Sequence, residues 1–366
     1  MSDQLLETLD IDPVSNNQDD LRRKKQEIQE DRIENQHEDM ISRKINRQTH
    51  EEIDLTVMPK NKIEEIVSDT DEYLGLAATA KPFINNDFKG YVPNFARNII
   101  LVAAPTGNGK STTCANIAYH ALLSGQRVLV ITNEEVAGDI YNRITCIVKG
   151  WAYTNHGGLS KEQLDTFKDM TPKLSQKITV VDDNFSGAPG QTTTVEGFEA
   201  VLESLIIKKA KYDVIIFDYY QNVTASTKHS EWSDWKCQEK IAKYLDSFKQ
   251  RYNAPVLVLA QLKDKKEDAL FKERIEGRKI ILNVATCAIE LAAEREDMRT
   301  SWTIRKSRFS EGIGKVIYTG FDKGKYTLYT PDFANQAQQR KDAKKHQEVL
   351  SSCFGQSGIK GENNEK

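Results

Sequence analysis

The chain has almost nothing with which to lock itself covalently. Its five cysteines, Cys114, Cys146, Cys237, Cys287 and Cys353, include no CxxC pair, which excludes a zinc ribbon and a disulfide framework. Reduced, mostly buried thiols of an intracellular protein are expected instead. No apolar run approaches the roughly 18 residues of a membrane span, and the acidic opening MSDQLLETLDID has no secretory character. A cytoplasmic protein with no membrane partner is the expectation. An excess of one charge is missing too, because 51 Lys and Arg face 54 Asp and Glu for a formal net charge of -3. A nucleic-acid binder usually has a basic balance, so any such contact here must come from a local basic lining. Residues 1–58 lack a hydrophobic stripe: Leu21, Ile28, Ile33, Met40 and Ile45 do not hold a heptad. Neither Pro nor Gly occurs between Val14 and Met58. That segment is expected to be a charged arm, disordered or conditionally helical, with a partner-binding helix or a coiled coil as the alternatives.

What remains is enough for a core. Hydrophobic residues make up 39 % of the chain, although a mean hydropathy of −0.58 implies that part of it is solvated. The strongest signal is Asn98–Thr113, NIILVAAPTGNGKSTT. A buried strand stops at Ala104, Pro105, Thr106, Gly107, Asn108, Gly109, Lys110 and Ser111, and helical spacing runs from Lys110 until Gly125. This is a phosphate-binding loop in its proper context. Gly107 and Gly109 let backbone N–H groups curl round phosphates, Lys110 carries an ammonium to the β- and γ-phosphates, and the Ser111 hydroxyl can ligate Mg²⁺. The helix N-terminus, with Thr112 beside Ser111, adds partial positive charge. Ala104 stands where the pattern often has its first glycine, and must accept that position's backbone conformation.

Further elements follow in an α/β alternation. Asn61–Ala80 carries Ile63, Ile66 and Val67 on one helical face and then Tyr73, Leu74 and Leu76, an amphipathic linker helix (59–80) that packs on its own domain or docks on a neighbouring subunit. Gln126–Thr132 is a second buried strand ending in Asn133, Glu134 and Glu135. An acid just past the carboxyl end of a strand beside the P-loop faces the nucleotide, so Glu134 is suited to deprotonate an attacking water. Capping the helix from Val136 to Ile147 is the other reading, and the preferred one for Glu135. Ser160 and Gln163 form a reciprocal cap for a helix reaching Leu174, and a strand Ile178–Val181 follows. The strand in Tyr212–Tyr220 delivers Asp218 to its carboxyl end, a Walker B pattern whose carboxylate would hold Mg²⁺ opposite Ser111. Gln221–Trp235 is polar, and Trp232 and Trp235 read as the buried face of the next helix, with contact to nucleic acid as the alternative. The strand Ala254–Ala260 ends at Gln261. It leads into the most basic loop, with Lys263, Lys265, Lys266, Lys272, Arg274, Gly277, Arg278 and Lys279, expected to touch a phosphate backbone rather than only water. Strands at Cys287–Ala292 and Ser301–Arg308 precede a hairpin, Val316–Phe321 with Lys325–Tyr329. Residues 331–366 read as a polar, largely disordered tail that begins as a helix.

The succession APTGNGKS, TNEE, IIFDYYQN, LAQL, IEGRK and RKSRF resembles the RecA-type motor of DnaB-like replicative helicases, over Lys81–Tyr329. The specific parts are the spacing from the TNEE acid to Arg143, the FDYYQ segment, and AQLK before a basic loop with Glu276, Gly277 and Arg278. The resemblance implies a RecA-like P-loop NTPase fold in 81–330, with a mainly parallel central sheet, a C-terminal β-hairpin and a polar helical or disordered N-terminal arm. It implies Glu134 as catalytic glutamate, Asp218 as Mg²⁺ ligand, and Gln261 as the coupler of γ-phosphate to DNA loops. Arg308, with Lys306 beside it, matches an arginine finger given to a neighbour's site. Further implications are ATP and Mg²⁺, a homo-hexamer round single-stranded DNA, docking of the linker helix on the next subunit, and a separate primase or helicase loader. The first 60 polar residues hold no bacterial-type helical domain, and no Cys/His cluster marks a fused primase, so the likeness is to a reduced, phage-type helicase acting in the host cytoplasm. A RecA/RadA-like recombinase or another RecA-fold ATPase shares the core, and a non-enzymatic replication accessory protein is the further alternative.

Overall fold

The computed structural model describes residues 60–153, 160–187, 190–263, 269–277, 279–308 and 312–354. The arm expected over 1–58 lies outside them. The chain divides into two units, Met1–Asp69 and Thr70–Lys366. Of the first unit, the described part is the opening half of helix α1 (Lys60–Ala78), where Ile63, Ile66 and Val67 are exposed. In the second unit the closing half of α1 is tied down by an ion pair of Glu72 with Arg97 at 3.0 Å and by Tyr73 set edge-on to Phe95.

Among the described residues the second unit is built on one nine-stranded sheet. In chain order the strands are β1 (Ile99–Pro105), β2 (Val128–Thr132), β3 (Ile178–Val181), β4 (Val214–Asp218), β5 (Val256–Leu262), β6 (Cys287–Glu294), β7 (Arg299–Ser307), β8 (Val316–Asp322) and β9 (Lys325–Leu328). They lie side by side as β3-β2-β4-β5-β1-β6-β7-β8-β9. The pairs from β3 through to β6 are parallel, and those from β6 to β9 are antiparallel. Parallel strands must be covered on both faces, and that is why β1, β2, β4 and β5 read as unbroken apolar runs. The helices α2 (Lys110–Leu123), α3 (Ala137–Lys149) and α4 (Lys161–Leu174) pack on one face, where Ile100 and Val102 of β1 meet Cys114, Ile117, Ile140 and Ile144. On the other face α5 (Val195–Ile207), α6 (Asp234–Arg251) and the short α8 (Ile280–Val284) bring Phe198, Leu202, Leu245, Phe248 and Ile281 onto Ile99 and Leu101. Each such fully buried Ile, Leu or Phe contributes about 1.5–3 kcal/mol.

Local signals explain several element ends. Ser160 accepts from the Gln163 N–H at 3.2 Å while the Gln163 side chain accepts from the Ser160 N–H at 2.9 Å, the reciprocal cap expected of α4. The start of α3 corrects the expectation for Glu135. Its first N–H, on Ala137, is capped from a distant loop by Asp182 Oδ2 at 2.9 Å, and Glu135 instead pairs with Arg143. A second correction concerns α6, whose start at Asp234 leaves Trp235 on the outside, 61 % exposed. Trp232 precedes the helix and stacks on His229, ring centroids 4.1 Å apart. The tail begins as the expected helix, from Pro331 to Phe354 (α9), and residues 355–366 lie outside the described residues. No Gly or Pro interrupts that helix, and ion pairs of Arg340 with Asp322 and Lys341 with Asp297 hold it to the hairpin end of the sheet.

Candidate active site

The carboxyl edge of the parallel strands gathers the sequence-marked groups. β1 runs into Thr106–Gly109, and only Gly107 (φ 73°) and Gly109 (φ 87°) take left-handed conformations there. Ala104 lies inside β1, fully buried and extended, so the first position of the motif makes no demand for glycine. The loop is braced from β6: the Ala293 N–H donates to Asn108 Oδ1 at 3.1 Å, and Arg295, just beyond β6, donates to the Gly107 carbonyl at 2.8 Å. Lys110 opens α2, with its Nζ 3.2 Å from Glu134 Oε2 and 4.1 Å from the Tyr219 ring centroid. Glu134 follows β2, which lies next to β4. That adjacency puts Glu134 across from the Walker B segment. Asn133 locks the two strand ends, accepting from the Tyr219 N–H at 3.1 Å and donating to the Tyr219 carbonyl at 3.2 Å.

Asp218 is the most costly residue of the site. It ends β4 fully buried, and neither carboxylate oxygen has a hydrogen-bond partner among the described residues. Burial pushes its carboxyl up from 3.8 to about 7; Lys110 pulls it down, while Glu134 and Glu135 reinforce the rise. A dry carboxylate with two orphan oxygens beside an ammonium and a hydroxyl-bearing helix start is the donor chemistry of a hard divalent cation. The chemistry of these residues therefore fits Mg²⁺, which Asp218 and Ser111 would hold, and the left-handed glycines and helix N-terminus fit a polyphosphate. Glu135 is kept out of this set by Arg143, which grips both its oxygens at 2.6 and 3.1 Å.

Gln261, near the end of β5, donates from Nε2 to Thr106 Oγ1 at 2.7 Å, a direct link from that strand to the phosphate loop. The basic loop that follows divides. Lys263 and Lys279 are exposed. Arg274, in the short α7 (Phe271–Arg274), is turned inward and forms an ion pair with Glu290 of β6, which Arg305 also reaches at 2.6 Å. An inward guanidinium clamped by a buried carboxylate does not lie in a solvent-facing basic lining, which corrects the expectation for Arg274 in this conformation. Lys265, Lys266 and Arg278 lie outside the described residues.

Arg308 and Lys306 stand elsewhere. β7 runs antiparallel to β6, and Ser307 pairs with Cys287 at the start of β6. Both side chains thus leave the sheet where its parallel strands begin, the edge opposite the phosphate loop. Seven residues of β1 separate those edges, roughly 20 Å at about 3.3 Å per residue. Arg308 is exposed and donates to the Asn283 carbonyl at 2.5 Å, and Lys306 Nζ donates to the carbonyls of Leu282 and Asn283. Sequence reasoning missed Asn133, Tyr219, Arg295 and Glu290, whose roles depend on contacts with distant segments.

A P-loop between β1 and α2, an acid after β2 and a buried aspartate at the end of the adjacent β4, all on one edge of a mostly parallel sheet, define a RecA-like P-loop NTPase. The model of the DnaB-like helicase C terminal domain matches residues 83–273, more than half of the chain, and the chain belongs to that family. Among solved structures, one ATPase domain is similar at 14 % identity, covering 73 % of this chain and 99 % of that one with a TM-score of 0.58. A DnaB-like replicative helicase described with its interactions with primase is similar at 15 % identity, covering 84 % of this chain and 77 % of that one with a TM-score of 0.57. At such identities the likeness is one of fold. No curated protein matches the chain.

Proposed function

We propose that the chain is an ATP-hydrolysing replicative DNA helicase that works as a closed homo-hexamer translocating on single-stranded DNA through a central pore. Lys110 and the N–H groups of Thr106–Ser111 would bind and orient the phosphates. Ser111 and Asp218 would hold Mg²⁺, which when bound neutralises charge developing on the transferred phosphoryl group. Glu134, released from Lys110 as the ammonium turns to phosphate, would take a proton from the attacking water. Gln261 would pass the state of the loop at Thr106 to the basic loop, whose Lys263, Lys265, Lys266, Gly277, Arg278 and Lys279 would contact the DNA backbone.

The observation that carries the ring reading is the position of Arg308. Phosphoryl transfer calls for extra positive charge at the transferred group, and an arginine roughly 20 Å from its own phosphate loop can supply that charge only to a neighbour. Lys306 would stand beside it, and burial with the charges of Arg308 and Lys249 lowers its pKa. The exposed Ile63, Ile66, Val67 and Leu74 of α1 give a linker helix an apolar face for an adjacent subunit. A cytoplasmic setting, the host's for a phage protein, and a separate primase or loader as partner complete the proposal. Among the described residues no helix is long and apolar enough to cross a membrane. The test is forked-DNA unwinding with each single-stranded tail removed in turn, beside electron micrographs of the protein with ATP. Unwinding that needs one tail and closed rings are expected; filaments, or hydrolysis indifferent to single-stranded DNA, would sink the reading in favour of a recombinase or an accessory ATPase.

A further inference from the structure

The strand β5 outruns its neighbour β4. Their last rung pairs Phe217 with Val258, yet β5 continues to Leu262. Past that rung β4 offers the main chain of Gln261 no partner, and a buried N–H or C=O left without one is costly. The side chain of Gln221, three residues beyond Asp218, fills that place. Its Oε1 accepts from the Gln261 N–H at 3.1 Å, and its Nε2 donates to the Gln261 carbonyl at 3.1 Å. The same Nε2 donates to the Glu276 carbonyl at 3.0 Å, and the Glu276 N–H returns to the Gln261 carbonyl at 3.0 Å. One primary amide thus joins the outgoing limb of the basic loop to the returning one. The network also fixes the orientation of that amide, since a flip would set N–H against N–H and oxygen against two carbonyls.

The returning limb has little room to shift. Leu262 bridges Ile275, and the Lys263 N–H donates to the Arg274 carbonyl at 2.7 Å. Gly277 is left-handed (φ 73°), and a Cβ there would come within 2.3 Å of Gln238 Oε1. Gln238 Nε2 in turn donates to the Gln221 carbonyl at 3.4 Å. Towards the nucleotide, Gln261 holds Thr106 of the phosphate loop. Hydrogen bonds therefore run without a break from Thr106 through Gln261 and Gln221 to Glu276.

We infer that Gln221 is a positioning residue that yokes both limbs of the basic loop to the end of β5, so that a change at the phosphate loop moves the two limbs together. This rests on the ATPase reading above and adds to it a residue that lies outside both the phosphate loop and the basic loop. Without Gln221, the side chain of Gln261 would still sense the nucleotide, but the returning limb would follow only through the Glu276 N–H and the Leu262 and Lys263 main-chain contacts, and so more weakly.

The test is amide hydrogen exchange on the full chain, with and without Mg²⁺ and a non-hydrolysable ATP analogue, in wild type and Gln221→Leu, with no DNA present. In Gln221→Leu, peptides carrying the amides of Lys263 and Glu276 should exchange on the order of 10-fold faster, the loss expected for one or two buried hydrogen bonds. Their response to nucleotide should also shrink, while nucleotide still protects the start of α2. Gln221→Glu, which sets a carboxylate against two carbonyl oxygens, should behave alike. A nucleotide response of those amides that is undiminished in Gln221→Leu overturns the inference, as does one absent from wild type. Loss of protection in α2 as well overturns it too, because Gln221 would then merely hold the fold. Hydrolysis in wild type that ignores single-stranded DNA would strike at the helicase reading and leave this exchange result standing.

Discussion

Replacing Asp218 by Asn should stabilise the nucleotide-free protein while abolishing its Mg²⁺-dependent hydrolysis. The carboxylate is fully buried with both oxygens unpartnered, and its pKa stands at about 7 against an ordinary 3.8. At 1.36 kcal/mol per pH unit, keeping it ionised costs the fold about 4 kcal/mol. The folded pKa lies above the unfolded one, so the protonated form is the favoured one in the fold. The cost is therefore absent below about pH 4, grows by about 1.4 kcal/mol per pH unit, and is complete above about pH 7. Asn removes the charge but leaves an amide in the same dry place, worth about 1–3 kcal/mol against it. The net gain is then about 1–3 kcal/mol at about pH 8, fading to nothing or reversing near pH 5. For a chain of this length the gain corresponds to about 1–4 °C in Tm. Thermal unfolding of both proteins in chelator, followed from about pH 5 to about pH 8, measures it. A stability difference that does not change with pH, or an Asn variant less stable at the alkaline end, would refute the reasoning. Turnover with Mg²⁺ and ATP should fall at least about 10²-fold in the same variant, since a metal ligand supplies several kcal/mol to the transition state.

Three further outcomes are expected. Glu134→Gln should keep ATP and DNA binding and lose about 10²–10⁴-fold in turnover; near-normal hydrolysis in a phosphate-release assay would remove Glu134 from the role of base. Arg308→Ala should cost about 10³-fold or more, and mixing it with Lys110→Ala subunits should restore part of the activity, because some interfaces then pair an intact loop with an intact arginine; no recovery on mixing would argue for a site completed within one chain. Gly109→Ala meets the Thr112 side chain at no closer than 3.7 Å, so its penalty should come from the left-handed backbone (φ 87°), about 1–2 kcal/mol by denaturant unfolding, with a loss of nucleotide affinity measured beside it.

Much of the site was legible in the sequence because its parts are local. A strand ending in GNGK must turn with left-handed glycines, and an apolar run delivering an aspartate sets that aspartate at a strand's carboxyl end whichever strands flank it. The cap of α4 was readable for the same reason, since Ser160 and Gln163 need only each other. Trp235 was misjudged because spacing at three residues presumes that both partners lie in the helix, and α6 begins after Trp232. The inward turn of Arg274 was not legible because a charge run looks alike in sequence whether each member meets water or, as here, the buried Glu290.

By itself the sequence determined the inventory: which segments become strands, where the phosphate loop bends, and which acids stand at strand ends. Periodicity and glycine content act over a few residues and suffice for that. Only the tertiary structure decided the neighbours, because β1, β2, β4 and β5 are interchangeable apolar runs until crossover handedness and packing order them. That order brings Glu134 to Lys110, Gln221 to the end of β5 and Asp182 to the start of α3. It also sends Arg308 to the far edge of the sheet, where its charge has no use at its own phosphate loop.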